Sequence, residues 1–81
     1  MIGKEKVIIQ MPRDDFEIKR LLRDGISQEV SANDFAAFQL KRFVRYAVEG
    51  DTTVIIRDSD QFDMYEIKRI AREGKSNVVF R

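Results

Sequence analysis

Apolar residues along this chain follow two kinds of spacing. Val7-Ile8-Ile9 and Val54-Ile55-Ile56 are short continuous runs. Runs of that kind are expected of strands covered on both faces, so strands are predicted over Glu5–Met11 and Thr52–Arg57. Between and after these runs, apolar residues recur every three or four positions. Ile18, Leu21 and Leu22 form the stripe of a helix over Arg13–Asp24. Asp14 and Asp15 fall in its first turn, where the helix dipole favours acids. A longer helix is predicted from Asp34 to about Glu49, capped by Asn33 or Ser31. A third covers Gln61–Glu73, with Met64, Ile67, Ile70 and Ala71 on one face and Asp60 as its cap. Gly25, Gly50 and Gly74 stand at the three helix ends and read as C-terminal stops. Pro12, the one proline, ends the first strand. Ser27–Ser31 reads as a short strand on the strength of Val30 alone, and Asn77–Phe80 as a closing strand.

The element order is β-α-(β)-α-β-α-β. Strands alternating with helices predict an α/β fold, a single small domain over residues 1–81 with a mostly parallel sheet. Crossovers between parallel strands should be right-handed. Two layouts fit. Helices on both sheet faces would suit the continuous apolar runs. Helices on one face would leave the other face exposed and in need of a partner, most simply a second copy in a closed dimer.

Superposing the three helices reveals a shared motif. Phe16-Glu-Ile-Lys19-Arg20-Leu-Leu-Arg23, Phe38-Gln-Leu-Lys41-Arg42-Phe-Val-Arg45 and Tyr65-Glu-Ile-Lys68-Arg69-Ile-Ala-Arg72 agree in residue type at all eight positions. Phe35 and Phe62 each precede the aromatic by three residues, and Val54–Arg57 resembles Val78–Arg81. The chain thus reads as repeated helix–strand units over about 13–31, 33–57 and 60–81. Amphipathic helices draw on a small alphabet, and convergence is the competing explanation.

On each helix the aromatic, the Lys-Arg pair and the last Arg fall on the side opposite the core stripe. One reading is a solvated, self-paired face. The aromatic stacks under the Arg four residues on, Glu17 and Asp24 pair with Arg20, and Glu66 and Glu73 pair with Arg69. The other reading is a binding surface. The second helix is the best candidate, because Gln39 stands where the others carry an acid. Phe38, Lys41, Arg42 and Arg45 are therefore the candidate binding residues. Aromatic rings among cations stack on bases and contact phosphates, and the same residue types are enriched in protein interfaces.

Composition narrows the function classes. Fifteen basic against fourteen acidic residues leave a net charge of +1, so the chain is not a polycation of the kind that binds nucleic acid by charge alone. It has no cysteine and no histidine, which removes disulfides, thiolate zinc sites and every imidazole-dependent mechanism. Met1–Met11 lacks a signal-peptide core, and no run approaches the ~18 apolar residues of a membrane span. The expectation is a cytoplasmic protein with no membrane partner. At 81 residues, a domain buries only roughly 60% of its unfolded surface, so self-association would help it.

Asp58, Asp60, Asp63 and Glu66 follow the strongest strand, where α/β proteins place ligand sites. Asp58 and Asp60 could hold Mg²⁺ for phosphoryl chemistry. These acids also suit a helix start, and no glycine-rich phosphate loop accompanies them. No enzyme activity, catalytic residue, metal or cofactor is therefore expected. The functional expectation is a non-catalytic protein-interaction or self-associating accessory module, a homo-oligomer or the partner of another protein. The alternative is an accessory nucleic-acid-binding protein using the basic, aromatic face of the second helix.

Overall fold

The computed structural model describes residues 13–81, so the strand expected at Glu5–Met11 lies outside the described residues. Three helices alternate with three strands: α1 (Asp15–Arg23), β1 (Gln28–Ser31), α2 (Ala37–Gly50), β2 (Val54–Arg57), α3 (Met64–Gly74) and β3 (Val78–Phe80). Short 3₁₀ turns at Ser59–Gln61 and Lys75–Asn77 flank α3. The strands are all parallel and lie in chain order, with Gln28 beside Val54 and Val54 beside Val78. The fold is the expected small α/β domain, and Gln28–Ser31 is a strand of its sheet.

Consecutive strands joined by crossovers of one hand keep their helices on one face. The helices accordingly pack side by side, α1 on α2 and α2 on α3. This is the one-sided layout. In β2, Val54 and Ile56 are fully buried beneath the helices, while Ile55 is half-buried and Arg57 exposed. The run Val54–Ile56 is thus not covered equally on both sides among the described residues. Ile55 lies in register between Glu29 and Val79, and the Arg57 side chain reaches Glu29 at 2.8 Å. That outer face is a narrow apolar strip beside an ion pair.

The core lies between the two layers. The central helix α2 contributes Leu40, Phe43, Val44 and Ala47. Ile18 and Leu22 enter from α1, Ile70 from α3, and Val30, Val54 and Ile56 from the sheet. Phe35 closes one end, its ring edge-on to Phe43 with centroids 5.0 Å apart.

The helix starts follow local hydrogen bonding. Asp14 caps α1 by accepting the Glu17 N–H at 2.9 Å. Asp63, rather than Asp60, caps α3, accepting the Glu66 N–H at 2.8 Å while the Glu66 carboxylate accepts the Asp63 N–H. Asp60 falls within the preceding 3₁₀ turn. Nor does α2 begin at Asp34. Residues 32–35 form a turn that lifts the chain from the sheet to the helix layer. Ser31 serves that turn, accepting the Asn33 N–H at 3.0 Å and donating to Asp58 at 2.6 Å. The Ala36 N–H at the head of α2 is satisfied by Gln39 Oε1 at 2.9 Å.

The glycines divide into two roles. Gly25 has φ +87° and ends α1 in the left-handed conformation that glycine tolerates best. At the ends of α2 and α3 the positive φ belongs to Asp51 and Lys75 instead. Gly50 and Gly74 are the last residues inside their helices. A Cβ at Gly50 would overlap the Leu22 carbonyl, and one at Gly74 would lie 2.9 Å from Val44 Cβ. Both glycines therefore let a helix end approach its neighbour closely.

Candidate functional site

Each helix presents its motif aromatic to solvent. Phe16 is 60% exposed, Phe38 58% and Tyr65 67%. Over each ring lies the arginine one turn later: Arg20 at 5.8 Å from the Phe16 centroid, Arg42 at 5.7 Å from Phe38, and Arg69 at 5.5 Å from Tyr65. The spacing of four residues puts ring and guanidinium on the same side of a helix, and the pairing contributes about 0.5–1 kcal/mol at an exposed site. The surface of the helix layer thus carries the same aromatic–arginine pair three times.

Between α2 and α3 runs a groove lined by Ala37, Phe38, Lys41, Glu66 and Arg69. Between α1 and α2 a second hollow takes in Phe16, Arg42 and Tyr46, and Lys19 Nζ lies 5.5 Å from the Tyr46 centroid. Of the sequence-derived binding residues, Phe38 and Arg42 stand together as an exposed stack. Lys41 turns into the α2–α3 groove, in the company of Glu66.

Arg45 has a different occupation. Its Nε donates to Glu73 Oε1 on α3 at 2.9 Å. The sequence paired Glu73 with Arg69 on its own helix, but Arg69 lies over Tyr65 and Glu73 points across to α2. A parallel tie joins Arg23 of α1 to Glu49 of α2 at 3.3 Å. These cross-helix pairs were missed in the sequence. Their signal was present: the last arginine of the motif, with an acid near the end of the following helix.

The hydrogen bond and charge of Arg45 hold the Glu73 carboxyl below its ordinary value, with Lys41 and Arg69 adding to the effect. Arg45 is raised in turn by that hydrogen bond and charge. A carboxyl whose folded pKa is depressed stabilises the fold above its unfolded pKa, and that stabilisation is lost as pH falls through the folded value. Melting temperatures of the native protein and of E73Q should therefore differ near neutrality and converge in acid. A gap that persists unchanged into strong acid would show that the pair does not titrate in this way.

The acidic cluster after β2 is dispersed by local structure. Asp58 accepts the Ser31 hydroxyl, Asp63 caps α3, and Glu66 completes that cap. Among the described residues, no three acidic side chains come together in a group that could hold a metal ion. No helix among them is long and apolar enough to cross a membrane. The chain matches no protein-family model, no curated protein and no solved structure.

Proposed function

We propose that this chain is a non-catalytic interaction module that associates with itself through its exposed apolar and arginine-bearing surface. The observation that carries this reading is the exposure of large side chains. Phe16, Phe38, Met64 and Tyr65 are each more than half exposed on a very small domain. Aromatics and arginine are the residue types that concentrate binding energy at association surfaces.

Sedimentation equilibrium over a hundredfold range of concentration tests the reading. The expected result is an average mass that rises above the 9.5 kDa of one chain. A mass fixed at one chain throughout would overturn it.

One observation favours a second reading, an accessory nucleic-acid binder. Phe38 and Arg42 offer an exposed stack beside the cationic groups of Lys41 and Arg69. Against it stand Glu66 in the same groove and the pairing of Arg45 with Glu73. Titration with a labelled single-stranded oligonucleotide separates the two. Binding that falls steeply with salt and disappears in K41A/R42A would establish the second reading, and no binding at low salt would remove it.

A further inference from the structure

The two helix–helix joints of this fold give from the same motif positions in the same direction, although the acid met by the last arginine is Glu49, one turn beyond Arg45, in the first joint and Glu73, directly after Arg72, in the second. Each helix gives three positions to the next: the residue before the aromatic, the motif lysine and the last arginine. Each receives the previous helix at the residue after the aromatic and at residues beyond the last arginine. From α1 to α2, Asp15 meets Gln39, Lys19 lies over Tyr46, and Arg23 bonds Glu49. From α2 to α3, Ala37 and Lys41 share a groove with Glu66, and Arg45 bonds Glu73.

The series then stops with both surfaces repeated once more. On α3, Glu66, Arg69 and Glu73 face α2, so at 100° per residue Met64, Lys68 and Ala71 lie on the opposite flank, with Arg72 at its upper margin. Met64, Lys68 and Arg72 are the giving positions of the motif, equivalent to Ala37, Lys41 and Arg45. Met64 is 72% exposed, Lys68 and Arg72 are exposed, and Ile67 and Ala71 are half-buried between them. On α1, the receiving positions are Glu17 and Asp24, equivalent to Glu66 and Glu73. Both are exposed, and half-buried Leu21 lies between them. Among the described residues, the cations nearby on this helix have other contacts: Arg20 lies over Phe16, and Arg13 donates to Gln28 at 3.3 Å. Beneath the α3 flank, the outer edge of β3 has no neighbour among the described residues.

We infer that the α3 flank of one copy docks on the α1 flank of a second, repeating the α2–α3 joint between molecules. Lys68 and Arg72 face Glu17 and Asp24 there, as Lys41 and Arg45 face Glu66 and Glu73 within the chain. Met64, Ile67 and Ala71 cover Leu21. This inference rests on the self-association proposed above and names its surfaces. The joint is head-to-tail, so each copy keeps one flank of each kind. Assembly therefore runs on into rings or filaments, unlike a two-fold dimer.

Charge reversal on either flank provides the test. In K68E/R72E, both flanks are acidic. In E17K/D24K, both are basic. Each variant alone should associate roughly tenfold or more weakly than the native chain, because like charges meet at the joint. An equimolar mixture should recover association, because every joint between unlike copies is again complementary. Recovery also shows that both variants are folded. In sedimentation, the native chain should pass beyond two copies as concentration rises.

Several outcomes overturn the inference while leaving self-association intact: variants that associate as the native chain does, a mixture that fails to recover, or a native mass that stops at two copies. A native chain that stays at one copy at every concentration overturns both.

Discussion

Substitution of Gly50 by alanine is expected to destabilise the domain by about 3 kcal/mol, the upper part of the range for overpacked interiors. The added methyl group would overlap the Leu22 carbonyl oxygen and lie 2.9 Å from its carbon and 3.1 Å from the Arg23 carbonyl carbon. All three are backbone atoms, so no rotamer change relieves the clash. The ends of α1 and α2 must separate, which opens the core around Leu22 and Ala47. A shift of 1 kcal/mol moves the melting temperature of a domain this size by roughly 4–8 °C, so a fall of about 15 °C or more should appear in a thermal melt. Gly74→Ala is the informative comparison. Its methyl group meets the side chains of Val44 and Val78 at 2.9 Å, and it should destabilise less. A Gly50→Ala protein that melts with the native one would show that the two helices do not approach this closely.

The second large effect belongs to Phe43. It is the largest fully buried side chain, on the central helix, with Phe35 edge-on against it. Phe43→Ala should cost about 3–5 kcal/mol through lost burial and the space left behind. At about 0.05–0.15 kcal/mol per residue, the whole domain has only about 4–12 kcal/mol of stability. The variant is therefore expected to lose a large share of that stability, read as a clearly lower midpoint in urea titration. Phe38→Ala on the same helix should change stability little, because its ring is exposed. If the two variants were equally destabilised, the placement of α2 over the sheet would be wrong.

These two positions also mark what the sequence makes legible. Ile18, Leu22 and Ile70 lie in apolar stripes that only a helix could bury on one side; Phe43 sits beside the corresponding stripe of α2 but was legible only as an apolar position of the shared motif. Periodicity therefore located the three helices and the parallel sheet. Gly50 was legible as a helix end but not as a contact. A glycine needed for backbone approach looks the same, in one sequence, as one needed for a left-handed turn.

Polar burial hid other features. Ser27–Ser31 offered little beyond Val30, yet Gln28 and Ser31 are buried in β1. Gln28 accepts from Arg13 and donates to the Ser27 carbonyl, and Ser31 bonds Asp58. Hydropathy cannot register burial that depends on such partners. The start of α2 was misplaced for a related reason. Ser31, Asn33 and Asp34 resemble a cap, but they are used in the turn between layers. Of the candidate site, the aromatic–arginine stacks were legible because both members sit on one helix. The engagement of Arg45 was not, because its partner lies 28 positions away on a neighbouring helix.

The single layer of side-by-side helices has a consequence for how the molecule opens. Each helix–strand unit is held by its sequence neighbours, so the chain behaves as a short one-dimensional array. The unit of α2 and β2 is gripped from both sides. The units of α1 with β1 and of α3 with β3 each have one neighbour among the described residues. Opening should therefore begin at the margins and travel inward, with the backbone amides of β2 and α2 the last to meet solvent. Whatever docks on a marginal flank turns an end of the array into a middle, and thereby slows the fraying of the whole chain.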